Sequence, residues 1–173
     1  MLFRSSDFFE AVSTCRAHGL TLVPTFVAFH PWLTLAGYCD LLDTIARLDL
    51  IEHVAPIQLA IRLLIPEGSK LLELDEVRGL IAGFDSATLT YRWSHAEPRV
   101  DELQREVSAL VGVRVGGDRH AVFDAISALA HARAGIPQQE KAPRAGGRHP
   151  AVPYLSEPWY CCAEPNAEQV ALV

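Results

Sequence analysis

Between residues 20 and 66, two long apolar runs flank a helix-forming segment, and this arrangement narrows the folds open to the chain more than any other feature. The first run is Leu20-Thr21-Leu22-Val23-Pro24-Thr25-Phe26-Val27-Ala28-Phe29. The second is Val54-Ala55-Pro56-Ile57-Gln58-Leu59-Ala60-Ile61-Arg62-Leu63-Leu64-Ile65. Neither alternates apolar with polar residues, so both read as parallel strands buried on both faces. Between them Leu35, Cys39, Leu42, Ile45 and Ala46 recur at helical spacing. Parallel strands need a crossover connection, and a helix supplies it. The stretch is therefore expected to be one βαβ unit. Two parallel strands cannot cover both faces of each other. The chain thus reads as the closing part of a larger α/β domain, its other strands encoded upstream or supplied by a partner.

The totals agree with one globular domain. The chain has 173 residues, half of them hydrophobic and 21% charged. A formal net charge of −6 argues against nucleic acid, because phosphate neutralisation needs a basic face. No apolar run reaches the roughly 18 residues of a membrane span. The start, Met1-Leu2-Phe3-Arg4-Ser5-Ser6-Asp7, has no signal-peptide core, so a cytoplasmic location is expected. The four cysteines form no secreted framework: Cys15 and Cys39 lie in helical patterns, and Cys161 and Cys162 are adjacent.

Residues 7–18 are expected to form a helix with Phe8, Val12 and Cys15 on one stripe, Ser5 or Ser6 as N-cap, and Gly19 just past its end. A helix feeding a parallel strand implies a further strand before it. The loop Phe29-His30-Pro31-Trp32-Leu33-Thr34 follows the first strand, and Thr34 can cap the next helix. Ligands of α/β sheets and barrels sit at the carboxyl ends of strands, so this loop faces a site. His30 is a candidate ligand contact or proton carrier. The plainer alternative is that His30 and Trp32 plug the barrel end. In the second run Gln58, Ala60 and Arg62 share a face. Polar groups buried in an apolar strand need partners. Arg62 suits bidentate contact with a carboxylate or phosphate, or a structural ion pair with a nearby Asp or Glu.

Pro66-Glu67-Gly68-Ser69 reads as a turn. Residues 71–74 read as extended, followed by a short helix through Asp75, Val77, Leu80 and Ile81 that Gly83 and Asp85 end. Residues 88–95 read as a short extended piece whose Tyr91 and Trp93 pack. Pro98 opens a helix to about Gly112 with Val100, Leu103, Val107, Leu110 and Val111 inside. A second helix over residues 118–134 buries Val122, Ile126, Leu129 and Ala130 and leaves His120 and His131 solvated. Both read as cover helices. The expected divisions are thus a barrel part with cover helices over 1–134, a Pro- and Gly-rich flexible linker over 135–150, and a tail over 151–173.

The tail holds the most reactive pattern. Adjacent thiols can close a strained, reducible disulfide, ligate a metal, or attack and resolve a redox intermediate. They can also be inert buried thiols. The segment Leu155-Ser156-Glu157-Pro158-Trp159-Tyr160-Cys161-Cys162-Ala163-Glu164-Pro165 closely resembles the C-terminal signature of the CUAEP/CCAEP-tail radical SAM proteins. That family admits selenocysteine in the pair; this sequence has Cys at both positions. Residues 27–34 and 56–69 resemble the last strand-loop units of its barrel, so the likeness covers essentially the whole chain.

The resemblance implies an α/β fold, the closing part of a partial (β/α)6 TIM-type barrel. It also implies a 4Fe-4S cluster on a Cys-x3-Cys-x2-Cys loop that cleaves S-adenosylmethionine to a radical. The sequence has no such loop, so the cluster ligands carry over onto no residue and no metal ligand is assigned. What carries over is the distal half of a site: His30, Gln58 and Arg62 toward S-adenosylmethionine or substrate, and Cys161 and Cys162 as the catalytic thiols. The implied partners are a small-molecule or peptide substrate and the missing N-terminal barrel half, with no nucleic acid and no membrane. The chain alone should be inactive. Two further readings stand beside this one: a stand-alone thiol-redox or metal-binding protein using Cys161 and Cys162, and an accessory module docking on a cluster-bearing partner.

Overall fold

A computed structural model describes residues 5–113 and 118–138. The chain begins with helix α1 (Ser5–Ala17), followed by an extended segment over residues 20–29 and helix α2 (Leu35–Arg47). Single 3-10 turns follow at Ile51–His53, Pro56–Leu59 and Lys70–Glu73. The short α3 (Asp75–Arg78) leads into strands β1 (Ile81–Asp85) and β2 (Thr90–Trp93), and α4 (Pro98–Val113) and α5 (Arg119–Ala134) complete the described part. The architecture is mixed α/β.

The helices follow from their sequences. Thr34 caps α2 by accepting the Gly37 N–H at 2.9 Å. Asp118 caps α5 through the His120 N–H at 2.8 Å. Gly19 and Gly135 sit past the ends of α1 and α5 with φ of 67° and 70°, a backbone that favours glycine. The stripe Leu35, Tyr38, Cys39, Leu42 and Ile45 of α2 is buried in the main core. Val122, Phe123, Ile126 and Ala130 of α5 share that core with Val100, Leu103, Val107 and Val111 of α4. Phe29, wholly buried, lies against the Tyr38 ring at 4.8 Å. The Tyr38 hydroxyl donates to the Leu59 carbonyl at 2.7 Å, so a deeply buried phenol keeps a partner.

The expected pair of parallel strands is corrected. Among the described residues parallel pairing is a single bridge between Phe29 and Arg62. The Phe29 N–H donates to the Ile61 carbonyl at 2.9 Å, and the Leu63 N–H donates to the Phe29 carbonyl at 2.7 Å. The second apolar run is mostly not a strand because Pro56 opens a 3-10 turn within it. Proline brings no N–H to a ladder and its fixed φ suits the first position of a turn. The only sheet among the described residues is antiparallel, β1 with β2. Its register is Ile81 with Trp93, Phe84 with Tyr91 and Asp85 with Thr90, with an irregularity between Ile81 and Gly83. Gly83 was expected to end a helix; at φ 145° it sits inside β1 beside that irregularity. Residues 71–74, expected as extended, fall largely within the 3-10 turn Lys70–Glu73, which Ser69 caps.

A second, smaller core of Ile65, Val77 and Trp93 lies under the hairpin. The Tyr91 N–H donates to the Ile65 carbonyl at 2.8 Å, so the segment after Arg62 runs between Phe29 and β2. His131 is not solvated as expected but 3% exposed: it lies on the face that α5 turns toward α2, with Nδ1 2.9 Å from the Ser127 carbonyl and Nε2 3.5 Å from Asp43. His120 is half-buried, 2.9 Å from Glu52. The expected linker starts where α5 ends; its residues from 139 and the entire expected tail lie outside the described residues, as do Gly116 and Gly117. No helix among the described residues is long and apolar enough to cross a membrane.

This packing fixes the outcome of two truncations measured by urea denaturation. Leu42→Ala, at a fully buried position, should cost about 2–5 kcal/mol. Leu89→Ala, at a position 66% exposed, should stay within about 0.5 kcal/mol of the parent. Equal effects would contradict this placement of the core.

Candidate functional site

The Phe29–Arg62 bridge sets two predicted residues side by side. His30 follows Phe29 directly, and Arg62 is its bridge partner. A guanidinium in an apolar setting needs its donors met. Arg62, its side chain 12% exposed, lies over the Trp93 ring with Cζ 3.6 Å from the ring centroid. One terminal nitrogen donates to Asp101 Oδ1 at 2.7 Å and the other to the Trp93 carbonyl at 2.7 Å. The Trp93 indole N–H donates to the Leu63 carbonyl at 2.8 Å, next to Arg62 in the chain.

Asp101 stands in the first turn of α4, where the helix dipole favours a carboxylate. Its second oxygen accepts the His95 N–H at 2.9 Å. His95 therefore joins the cluster through Asp101. Its own Nδ1 lies 2.9 Å from the Glu97 N–H, and its Nε2 is buried without a hydrogen-bond partner among the described residues. His30 Nδ1 is likewise buried and without a partner there. Burial, followed by the nearby His95, holds the His30 imidazole below the usual histidine range, so His30 is neutral at neutral pH. Its ring lies 6.0 Å from that of Trp32, whose indole N–H donates to Glu76 at 2.8 Å.

The structure thus gathers His30 and Arg62 with Trp93, His95 and Asp101 after the parallel bridge. It does not bring Gln58 to them. Gln58 is buried, and its Oε1 accepts the Phe26 N–H at 3.2 Å, which ties the first extended run to the 3-10 turn before Arg62. Cys161 and Cys162 lie outside the described residues. Of the described cysteines, Cys39 is buried, and burial with the neighbouring Asp43 and Asp40 pushes its thiol up to about 11. It stays protonated and unreactive at neutral pH.

Sequence reasoning missed His95 and Asp101. The signal available was the position of an Asp three residues after Pro98, in the first turn of a legible helix, together with an arginine in an apolar run that required a buried anion.

The described residues do not fit a 4Fe-4S cluster. Three thiolates are needed, whereas the described part offers Cys15 and Cys39 and holds no group of three potential metal ligands. No protein-family model, no curated protein and no solved structure matches the chain.

Two measurements test the cluster. Asp101→Ala leaves the Arg62 charge largely buried without its carboxylate, and should cost about 3 kcal/mol by urea denaturation; Asp101→Asn should cost less. A folded-state histidine value below the unfolded one, about 6.5, means that the unfolded chain binds more protons below that pH. The His30 contribution to stability is therefore complete above about pH 6.5 and lost as the pH falls. Stability measured against pH should show this loss in the parent, and a smaller one in His30→Gln. An identical pH dependence in both would show that His30 is not the group titrating.

Proposed function

We propose that the chain is the C-terminal portion of a radical S-adenosylmethionine enzyme of the CUAEP/CCAEP-tail kind, in the manner of the closing units of a partial TIM-type barrel. The observation that carries the reading is the tail, Leu155-Ser156-Glu157-Pro158-Trp159-Tyr160-Cys161-Cys162-Ala163-Glu164-Pro165. Support comes also from the order of extended run, helix and parallel bridge over residues 20–62, and from the charged cluster that follows the bridge. On this reading His30 and Arg62 face S-adenosylmethionine or a small-molecule or peptide substrate. Gln58 acts behind them by holding the extended run. Cys161 and Cys162 supply the thiols. The cluster is held by residues outside this sequence, which lacks the Cys-x3-Cys-x2-Cys loop, and the chain alone is inactive. The adjacent cysteines equally fit a stand-alone thiol-redox or metal-binding protein, the second reading.

The separating experiment reads the DNA upstream of the Met1 codon, in all frames, for a Cys-x3-Cys-x2-Cys. Its presence is expected; a long upstream stretch without it moves the thiol-redox reading ahead. In the completed enzyme, Cys161→Ser and Cys162→Ser should each abolish turnover with the fold intact. Full activity in both would remove the thiols from the reaction.

A further inference from the structure

Trp32 is a large aromatic side chain left open beside the candidate site. It stands two residues after His30, in the loop that follows the Phe29–Arg62 bridge, and is 48% exposed. Its indole N–H donates to Glu76 Oε1 at 2.8 Å, 44 residues on in α3. The ring is thus held by its edge from a second element, and the bond takes up none of its face. The His30 ring lies 6.0 Å away at an interplanar angle of 40°, so it flanks the indole without lying flat over it. An open indole held at a fixed angle is a platform on which a ligand can be seated at little cost in side-chain ordering.

The charges around this platform select the ligand. Glu76 is exposed and forms no ion pair among the described residues, whereas its neighbour Asp75 pairs with Arg78. The Arg62 charge is matched by Asp101. Burial, followed by the nearby His95, holds the His30 imidazole below the usual histidine range, so at neutral pH it brings no positive charge to the loop. What remains is one uncompensated carboxylate bound to the edge of an open indole. The face of an aromatic ring is its negative region, and tryptophan attracts cations best. An anion would meet only like charge here. An uncharged apolar group would gain the ring and nothing from Glu76. A cation gains from both. A methylated ammonium suits the platform better than a bare one, because a bare ammonium is strongly hydrated and methyl groups spread the contact over the ring.

We propose that Trp32 and Glu76 form a binding site for an organic cation, a methylated ammonium group seated on the open indole face beside His30. As a contact with substrate the site rests on the enzyme reading above. Binding is measured on the full chain alone, whereas the upstream DNA decides that reading, so either can fail without the other. The probe is tetramethylammonium, followed by NMR through the ring signals of Trp32 and His30. The comparators are tert-butanol, uncharged and of similar shape, and acetate. Tetramethylammonium should shift the Trp32 signals saturably, its own methyl signal should move upfield, and it should bind at least about threefold more tightly than tert-butanol. Acetate should leave the Trp32 signals in place. Glu76→Gln keeps an acceptor for the indole N–H and removes the charge, and should weaken tetramethylammonium by about threefold. Trp32→Leu, at an exposed position, should abolish its binding with an unchanged circular dichroism spectrum. The absence of a saturable shift in the parent overturns the site. So does equal binding of tert-butanol, which makes the ring an apolar surface only, or tighter binding of acetate. Glu76→Gln without effect removes the carboxylate from the site and overturns it too. If Trp32→Leu does not fold, the three probes on the parent and Glu76→Gln decide.

Discussion

Arg62 is the joint on which the described structure turns. A guanidinium drawn into an apolar setting must satisfy its donors, and each partner of Arg62 belongs to a different element. Its backbone bridges Phe29 in the main core. Its guanidinium lies over Trp93 in the smaller core, and its charge meets Asp101 at the start of α4. Two hydrophobic clusters thereby meet at one residue, with the Trp93 indole bond to the Leu63 carbonyl beside it. The arrangement explains why the hairpin, which has little core of its own, sits beside the helices and not apart from them.

The same joint accounts for the position of the candidate site. The bridge places His30 at the end of one extended segment and Arg62 just after the 3-10 turn Pro56–Leu59. Asp101 brings His95 to them by accepting its backbone N–H. The result is a cationic group already neutralised by a carboxylate, beside imidazole nitrogens that are buried and unpartnered among the described residues. The polar capacity left for a ligand lies with the histidines more than with Arg62, both of whose terminal nitrogens are engaged.

The helices were legible because their apolar stripes and caps agree: Thr34 before α2, Pro98 at the start of α4, Asp118 before α5 and Gly19 after α1. The second apolar run was not legible as it folds. A short continuous apolar run reads alike as buried strand or buried turn, and the deciding residue was Pro56. A glycine after a helical pattern signals a stop, whereas Gly83 sits beside an irregularity in a strand. The polarity of His131 argues for solvent, whereas the helix period puts it one turn past Ser127 on the buried face. Of the site, His30 and Arg62 were legible from their place after and within apolar runs. His95 and Asp101 were not, because their meeting with Arg62 spans more than thirty residues and has no local signature. Gln58 was found as a buried polar group, but its partner proved to be a backbone N–H.

The contrast between Trp32 and Trp93 has an optical consequence. Trp93 is nearly buried beneath a guanidinium, while Trp32 is about half exposed, its indole tied to Glu76. The two indoles therefore absorb and emit in different surroundings: one beside a fixed positive charge and out of reach of dissolved quenchers, the other open to them. With the third tryptophan removed by Trp159→Phe, emission that quenchers cannot reach reports on the Arg62 joint and quenchable emission on the loop carrying His30, so the two halves of the cluster can be followed separately in one sample.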